Sequence, residues 1–206
     1  MIWLVTGGTA GIGKALCEHV KNKGHEVVTC SRLYFDISNP DEAELLVKQA
    51  IRRHGRIDVL VNNAGIYKRS TVEETSINFW DRCIGTNLNG TFYMCKNVVP
   101  YMKEQNFGRI INVASYVAYF SPPERAAYNS SKLAVLGFTE TLAKELADYD
   151  IKVNSYSPVK TATRMDVDKV ATSQPEDAAR EMYELHKTED TGKYFLAGKE
   201  VDWRSE

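Results

Sequence analysis

The stretch that decides the fold lies at the start of the chain, where residues 2–13 read IWLVTGGTAGIG. Its apolar first half, Ile2–Thr6, predicts a buried strand, and helical spacing of apolar residues follows the glycines. Gly7 permits a tight turn, Gly11 lets the backbone approach a ligand closely, and Gly13 lets the helix pack near the sheet. A helix N-terminus offers unpaired N–H groups and a positive dipole end, so this loop predicts a diphosphate site.

The rest of the chain repeats the alternation of short apolar runs with longer helical patterns. Further strands are predicted at Glu26–Ser31, Ile57–Val61, Arg109–Val113, Ile151–Tyr156 and within Lys193–Val201. Helices are predicted at Ile12–Lys23, Pro40–His54, Thr86–Glu104, Ala126–Ala147 and Glu176–His186. Such alternation implies right-handed crossovers and a parallel sheet covered on both faces. We therefore predict one α/β domain, residues 1–206, with a doubly wound, Rossmann-type parallel sheet.

Composition excludes several classes of function. The 206 residues carry a net charge of −1, which gives no electrostatic footprint for nucleic acid or an anionic membrane. No apolar run approaches the ~20 residues of a membrane span, and a strand begins at once without room for a signal peptide, so we expect a cytoplasmic protein. The four cysteines form no CxxC pair and have no histidine at ligand spacing, which favours packed, reduced thiols over disulfides or a metal site.

A tyrosine and a lysine stand four residues apart in the fourth predicted helix, Ala126–Ala147, where residues four apart share one face. They are Tyr128 and Lys132, in the sequence YNSSK. A free tyrosine has a pKa near ~10 and is a poor base at neutral pH, and lowering that pKa by about 3 requires roughly 4 kcal/mol. One cation about 4 Å away contributes on the order of 4 kcal/mol at an effective dielectric constant of ~20, so Lys132 together with the charged ring of an oxidised nicotinamide could suffice. The pair alone is weak evidence, because both residue types are common on helix surfaces.

Several motifs appear with this pair in a fixed order. They are Thr6–Gly13 with glycines spaced Gly-x-x-x-Gly-x-Gly, Asn62-Asn63-Ala64-Gly65, Asn87, Ser115 thirteen residues before Tyr128, and the YxxxK pair itself. Together they resemble the short-chain dehydrogenase/reductase family over residues 1 to about 165. The resemblance implies four catalytic residues: Tyr128 as acid and base, Ser115 holding the substrate carbonyl, Lys132 lowering the tyrosine pKa and binding ribose, and Asn87 supporting a proton relay.

The same resemblance implies a nicotinamide cofactor along the carboxyl ends of the strands. Its predicted contacts are Gly7, Thr9, Gly11, Ile12, Gly13, Ser31, Arg32, Asp36, Asn63, Ala64, Gly65, Tyr128, Lys132, Pro158 and Thr163. Ser31 stands where NAD-specific members carry a carboxylate, and Arg32 follows it with a guanidinium that matches phosphate geometry. NADP(H) is therefore predicted to be preferred, with NAD(H) possible, and Asp36 is predicted to lie at the adenine amino group.

Two departures from the family pattern lead to expectations of their own. Three residues, Leu33–Phe35, replace the usual helix and strand before Asp36, and a parallel crossover needs about a dozen residues. We therefore expect six parallel strands instead of the family's seven, with Glu26–Ser31 at the sheet edge. After Pro158 the family's glycine is Val159, which lacks glycine's backbone freedom.

The C-terminal segment from Thr191 to Trp203 resembles carbonyl-reductase-like members of the family. The function implied is hydride transfer between NADP(H) and a small carbonyl compound or secondary alcohol. Two alternatives stay open: a cofactor-binding regulator without turnover, and an epimerase or dehydratase of nucleotide sugars. The resemblance also implies a homodimer or homotetramer paired through the Thr86–Glu104 and Ala126–Ala147 helices. The apolar side chains of these helices that we predict to support the contact are Phe92, Met94, Val98, Leu136, Phe138 and Leu142.

Overall fold

One twisted sheet organises the computed structural model, which describes residues 1–31, 33–161, 163, 172–202 and 204. Its strands are β1 (Ile2–Thr6), β2 (Glu26–Cys30), β3 (Val59–Asn62), β4 (Gly108–Val113), β5 (Ile151–Ser157), β6 (Tyr194–Leu196) and β7 (Lys199–Val201). They lie side by side in the order β2-β1-β3-β4-β5-β6-β7. The first six are parallel to one another, and β7 alone runs antiparallel, against β6.

The helices of the described residues connect these strands. They are α1 (Gly11–Asn22), α2 (Pro40–His54), α3 (Ile77–Ile84), α4 (Gly90–Gln105), α5 (Val117–Phe120), α6 (Ala126–Glu145) and α7 (Pro175–Leu185). Local chemistry fixes their ends. The Asn39 side chain accepts from the Asp41 N–H at 3.0 Å and Pro40 follows it, while Gly55 ends α2 with a φ of 75°.

Two apolar layers hold the helices on the two faces of the sheet. On one face Leu4, Leu60 and Ile110 pack with residues of α2, α4 and α6. On the other, Trp3 and Val5 pack with residues of α1 and α7. Burying each such side chain stabilises the fold by about 1.5–3 kcal/mol relative to exposure. The predicted doubly wound, Rossmann-type α/β fold is confirmed.

The expected loss of one crossover is also confirmed. Residues 33–38 form no strand, and β2 is the edge of the sheet. The chain turns there because the Ser31 carbonyl accepts from the N–H groups of Tyr34 and Phe35 at 2.9 and 3.0 Å. The six predicted parallel strands are therefore all present.

The strand total is seven because the C-terminal segment folds into a hairpin and not into the single β segment predicted within Lys193–Val201. Ala197 and Gly198 form its two-residue turn with φ values of 48° and 73°. Positive φ at both central positions matches the twist of the flanking strands. An alanine at the first of these positions gives little turn signal, which is why the sequence analysis missed β7.

The predicted helix Thr86–Glu104 is longer and is interrupted. It begins at Ile77, where the Ser76 hydroxyl accepts from the Phe79 N–H at 3.2 Å, and residues Gly85–Asn89 form one π-helical turn between α3 and α4. Glycines at both ends of that turn obscure the helical period. Single π-helical turns in longer helices are frequent at functional sites, and this one carries Asn87.

Most of the apolar side chains offered for self-association lie inside the protomer. Met94, Val98, Leu136 and Leu142 are buried in its own core, because these helix faces cover the sheet. Phe92 is 43% exposed and Phe138 is partly buried beside it.

The four cysteines are buried and unpaired. Among the described residues no helix combines the length and the apolar character that crossing a membrane requires.

Candidate active site

The glycine loop joins β1 to α1 with the backbone geometry that its glycines predicted. Gly7 and Gly11 have φ values of 66° and 51°, which L side chains rarely adopt. A Cβ atom at Gly13 would lie 2.4 Å from the Gly7 carbonyl oxygen, so α1 approaches the loop too closely for any side chain there. The first turn of α1 has no side-chain cap and no acidic residue, which leaves its N–H groups and dipole directed at an anion.

A second loop, after β3, is bonded directly to the glycine loop. The Thr6 hydroxyl accepts from the N–H groups of Asn63 and Ala64, both at 3.0 Å. In return the Asn63 side-chain amide donates to the carbonyls of Thr6 at 3.0 Å and Gly7 at 3.3 Å. These bonds cross between neighbouring parallel strands, so the two loops form one rigid floor of the site.

Tyr128 and Lys132 lie in α6 and face this floor. The Lys132 ammonium is buried and donates to the Val113 carbonyl at the end of β4 at 2.6 Å. A Cβ atom at Gly65 would lie 3.6 Å from it. Burial lowers the pKa of Lys132 to about 8. The nitrogen lies 5.8 Å from the centroid of the Tyr128 ring.

Ser115 follows β4, and its side chain lies close enough to the Tyr128 phenol to lower the phenol's pKa. Burial has the larger effect and raises the pKa of Tyr128 to about 12. The sequence analysis expected Lys132 to lower this pKa. Burial is the largest cause of the shift, and the lowering of this pKa by Lys132 together with the charged nicotinamide ring stays a prediction.

Asn87 lies behind the site, fully buried on the π-helical turn. Its side-chain oxygen accepts from the Ile66 N–H at 2.8 Å, and its amide donates to the Ile66 carbonyl at 3.1 Å and the Ser131 hydroxyl at 3.0 Å. Both faces of the amide are therefore used to hold the loop after β3. The structure gives Asn87 a positioning role.

These elements enclose one cleft of about 430 Å³ at the carboxyl ends of the parallel strands. The predicted cofactor contacts that line it are Gly7, Thr9, Gly11, Ile12, Gly13, Ser31, Asp36, Asn63, Ala64, Gly65, Tyr128, Lys132, Pro158 and Thr163. Ser115 and Asn87 are not among the residues that line it: Ser115 lies beside the Tyr128 phenol, and Asn87 holds the loop after β3. Arg32 lies outside the described residues.

The chain matches the family model described as short chain dehydrogenase over residues 32–174. It belongs to that family. A relative named 3-oxoacyl-[acyl-carrier-protein] reductase FabG, from Thermotoga maritima, is 34% identical, and the match covers 76% of this chain and 72% of that protein. An acetoacetyl-CoA reductase from Acinetobacter is also 34% identical, over 79% of this chain and 75% of its own length.

A solved structure agrees with the family assignment. It is a 3-ketoacyl-(acyl-carrier-protein) reductase from Brucella melitensis complexed with NADH, and it superposes with a TM-score of 0.89 over 95% of each chain at 28% identity. This short-chain dehydrogenase is accordingly an NAD(P)-dependent oxidoreductase with a Rossmann-type fold.

The residues present fit a dinucleotide cofactor. The glycine loop leaves open the space that a Cβ atom would fill at Gly11, 3.4 Å from the Thr163 side chain across the cleft. The uncapped start of α1 suits a diphosphate, and the buried Lys132 ammonium suits ribose hydroxyls. Val159 takes the family glycine's place without a positive φ, so the cleft wall carries no backbone strain there.

The predicted adenosine end of the cleft lies beside the end of β2. Cys30, Ser31, Phe35, Asp36 and Ile37 line it. The Asp36 carboxylate accepts from the Ser38 N–H at 3.0 Å and from the Ser38 hydroxyl at 2.7 Å. It is thereby engaged with its own loop beside the adenosine end.

Several site residues escaped the sequence analysis. The Ser131 hydroxyl links Asn87 to the catalytic helix by donating to the Tyr128 carbonyl at 2.7 Å. Because Ser131 lies within the YxxxK motif, the sequence could have indicated that it belongs to the site. Arg125 also lines the cleft, and no sequence pattern singled it out. Of the aromatic residues in reach, Tyr67 and Tyr116 line the cleft.

Proposed function

We propose that this dehydrogenase reduces a small carbonyl compound with NADPH, and that Tyr128 supplies the proton to the carbonyl oxygen. The nicotinamide cofactor would supply the hydride. Ser115 would hold and polarise the carbonyl oxygen, and Lys132 would stabilise the charge left on the phenol and bind the cofactor ribose. Asn87 would keep the loop after β3 in place beside them.

One observation carries this proposal: Tyr128 lines the cleft that the glycine loop begins, and the Ser115 side chain lies close enough to its phenol to lower the phenol's pKa. A carbonyl oxygen placed between them would meet a donor on each side, which is the arrangement that stabilises developing negative charge on oxygen. Nucleotide-binding alone would not require these two hydroxyls to converge.

The protonation states favour the reductive direction. With a pKa raised to about 12, Tyr128 carries its proton at neutral pH and is ready to donate it. The ammonium of Lys132, with its pKa lowered to about 8, is still mostly charged at pH 7. A cation beside the phenol lowers the free energy of the phenolate that forms as the proton leaves.

The preference for NADPH over NADH is part of the proposal. Ser31, at the position where a carboxylate would bind ribose and repel a 2′-phosphate, lines the adenosine end of the cleft. Arg32 follows it in the chain. The similar structure from Brucella melitensis is complexed with NADH. Affinity for NADPH should therefore be compared with affinity for NADH.

The proposal is tested by following NADPH oxidation at neutral pH with aldehydes, ketones, diketones and, because of the relatives' names, 3-oxoacyl thioesters. We expect turnover of at least one carbonyl class. Tyr128→Phe should lower kcat by at least ~100-fold, the lower end for general acid–base catalysis, while NADPH still binds. Tyr149→Phe is the control, since that ring packs against the core below Lys103. Equal rates for the two variants would refute the assignment of Tyr128.

We also propose that the protein self-associates and acts in the cytoplasm as one domain. Exposed Phe92 and Leu133, with the partly buried Phe138, give helices α4 and α6 an apolar outer face. Four unpaired cysteines suit a reducing compartment. Light scattering at micromolar concentration should give the mass of a dimer or tetramer, and Phe92→Lys should shift it toward the monomer. A monomeric mass for the unaltered chain would refute self-association.

A further inference from the structure

The cleft contains an arginine that the reaction described above does not use. Arg125 is the residue directly before α6, and it lines the cleft three positions ahead of Tyr128. Its guanidinium carbon lies 5.9 Å from the centroid of the Tyr67 ring. That ring in turn meets the Tyr128 ring edge to face, with 5.1 Å between centroids. The distance from the guanidinium carbon to the centroid of the Tyr128 ring is therefore at most the sum of these two distances.

The backbone around Arg125 is fixed in place. The Ser70 N–H donates to the Glu124 carbonyl at 2.8 Å, and Ser70 and Arg125 form an isolated parallel bridge. The Arg125 guanidinium donates to the Pro123 carbonyl at 3.1 Å. Glu124 has a φ of 62°, a conformation that non-glycine residues adopt only when their surroundings hold them there. Its carboxylate forms an ion pair with Arg69.

Charge is unevenly distributed along the described part of the cleft lining. Three cations, Arg125, Lys132 and Lys160, are found there, against one carboxylate, Asp36. Asp36 lies at the adenosine end with its oxygen bonded to Ser38. Arg125 lies beside Tyr67, whose ring contacts that of Tyr128. Among the described residues of the lining, the charged side chains near Tyr128 are therefore cations, which favours an anionic substrate.

We propose that Arg125 binds a carboxylate of the substrate, so that the substrate class is a short oxo acid with a free carboxylate. This inference rests on the proposed carbonyl reduction. A guanidinium presents five donors in a planar fork that matches the geometry of a carboxylate. Its position over the Tyr67 ring, and the contact of that ring with Tyr128, set the separation between the two binding points. The carbonyl oxygen lies at Ser115 and Tyr128 and the carboxylate at Arg125.

The experiment compares a short 3-oxo acid with its methyl ester in NADPH oxidation by the purified, full-length protein. The unaltered protein should show a kcat/KM at least tenfold higher for the acid than for the ester. Arg125→Gln should lower kcat/KM for the acid at least tenfold more than for the ester, about 1.4 kcal/mol of lost differential binding. Arg125→Lys should lie between the two, since it keeps the charge and loses the fork.

Arg69→Gln is the matched control. It removes a neighbouring guanidinium and the ion pair with Glu124, but Arg69 does not line the cleft. Its acid-to-ester ratio should remain that of the unaltered protein. A ratio near one in the unaltered protein, or equal losses for acid and ester in Arg125→Gln, would overturn the carboxylate assignment. Faster turnover of a phosphorylated ketone than of the oxo acid would overturn it as well.

The outcome separates this inference from the proposed function. Turnover of the ester or of any neutral ketone that depends on Tyr128 supports carbonyl reduction even if Arg125 proves indifferent to charge. Absence of turnover with every carbonyl, together with intact NADPH binding, would refute the reduction itself and this inference with it.

Discussion

The two sides of the cleft differ in how tightly their residues are packed. The packed side consists of the glycine loop Gly7–Gly13, the loop 63–67 and the start of α6; the edge side consists of the end of β2 and residues 31–38. On the packed side Thr6, Asn63 and Asn87 tie the loops together through buried hydrogen bonds. On the edge side Leu33 and Tyr34 are 90% and 80% exposed.

This difference follows from the lost crossover. Where a family member with seven parallel strands has another strand, β2 here is the margin of the sheet, and Leu33 and Tyr34 beside it are exposed. Groups that carry chemistry need fixed geometry, and the proposed catalytic groups lie on the packed side. The proposed preference for NADPH rests on a few side chains of the edge side. Substitutions on the packed side should therefore cost stability and turnover together, and substitutions on the edge side should change selectivity alone.

The strongest test of the packed side is Asn87→Ala. It removes four side-chain hydrogen bonds: two to Ile66, one to the Ser131 hydroxyl and a weak one to the Cys83 sulfur. The first three contribute about 1 kcal/mol net each. We expect the free energy of unfolding to fall by about 3 kcal/mol in urea titration, with a matching loss of kcat. The control is Asn97→Ala, whose amide donates once, to the Tyr93 carbonyl within its own helix, at 2.8 Å. Similar losses for both variants would show that the π-helical turn is not a special anchor.

A somewhat smaller effect is expected from Gly13→Ala. The added methyl group would lie 2.4 Å from the Gly7 carbonyl oxygen and from the Asn63 amide nitrogen, so α1 must shift away from the floor of the site. Overpacking of this kind costs about 1–3 kcal/mol. Gly137→Ala in α6 is the counterpart, since a Cβ atom there has nothing within 4 Å, and it should stabilise the helix by about 0.5–1 kcal/mol. Thermal unfolding of both variants gives the two signs, and a neutral Gly13→Ala would show that the floor is more pliable than its bonds indicate.

How far the sequence could predict the molecule follows the same division. Local patterns and the length of the connecting segments predicted the strand–helix alternation, the loss of the outer strand and the glycine turns. The structure contains each of these features. The pKa of Tyr128 could not be predicted, because it depends on enclosure by residues distant in the chain. Arg125 was missed for a related reason: its meaning comes from Tyr67, 58 positions earlier, and no local period connects them. The hairpin at Ala197 was missed because its turn uses an atypical residue.

The pH dependence of the reaction tests the electrostatics of the packed side. Lys132 is the group there whose charge changes near neutrality, with a pKa lowered to about 8. Its cation is present below that pH and lost above it, whereas Tyr128, with a pKa near 12, keeps its proton throughout. Reduction measured as kcat/KM for NADPH, which reports groups of the free enzyme, should therefore be level below pH 8 and fall about tenfold per unit above it. A profile that stays level to pH 10 would show that the Lys132 charge is not needed.

The smallest effect, and the sharpest test of the edge side, is expected from Arg32→Ala. A guanidinium at the end of β2 can pair with the 2′-phosphate of NADPH and has no corresponding group to bind in NADH. Such a pair close to solvent is worth about 1 kcal/mol, so we expect the Kd for NADPH to rise roughly fivefold while that for NADH changes less than twofold. Arg53→Ala is the matched control, because Arg53 lies in the groove on the outer side of β2 and not in the cleft. Stability and kcat should stay at their original values in both variants, as befits a side of the cleft that selects the cofactor without supporting the catalytic groups. Equal weakening of NADPH and NADH, or tighter binding of NADH than of NADPH by the unaltered protein, would show that Arg32 does not recognise the phosphate and that the edge side does not set cofactor choice.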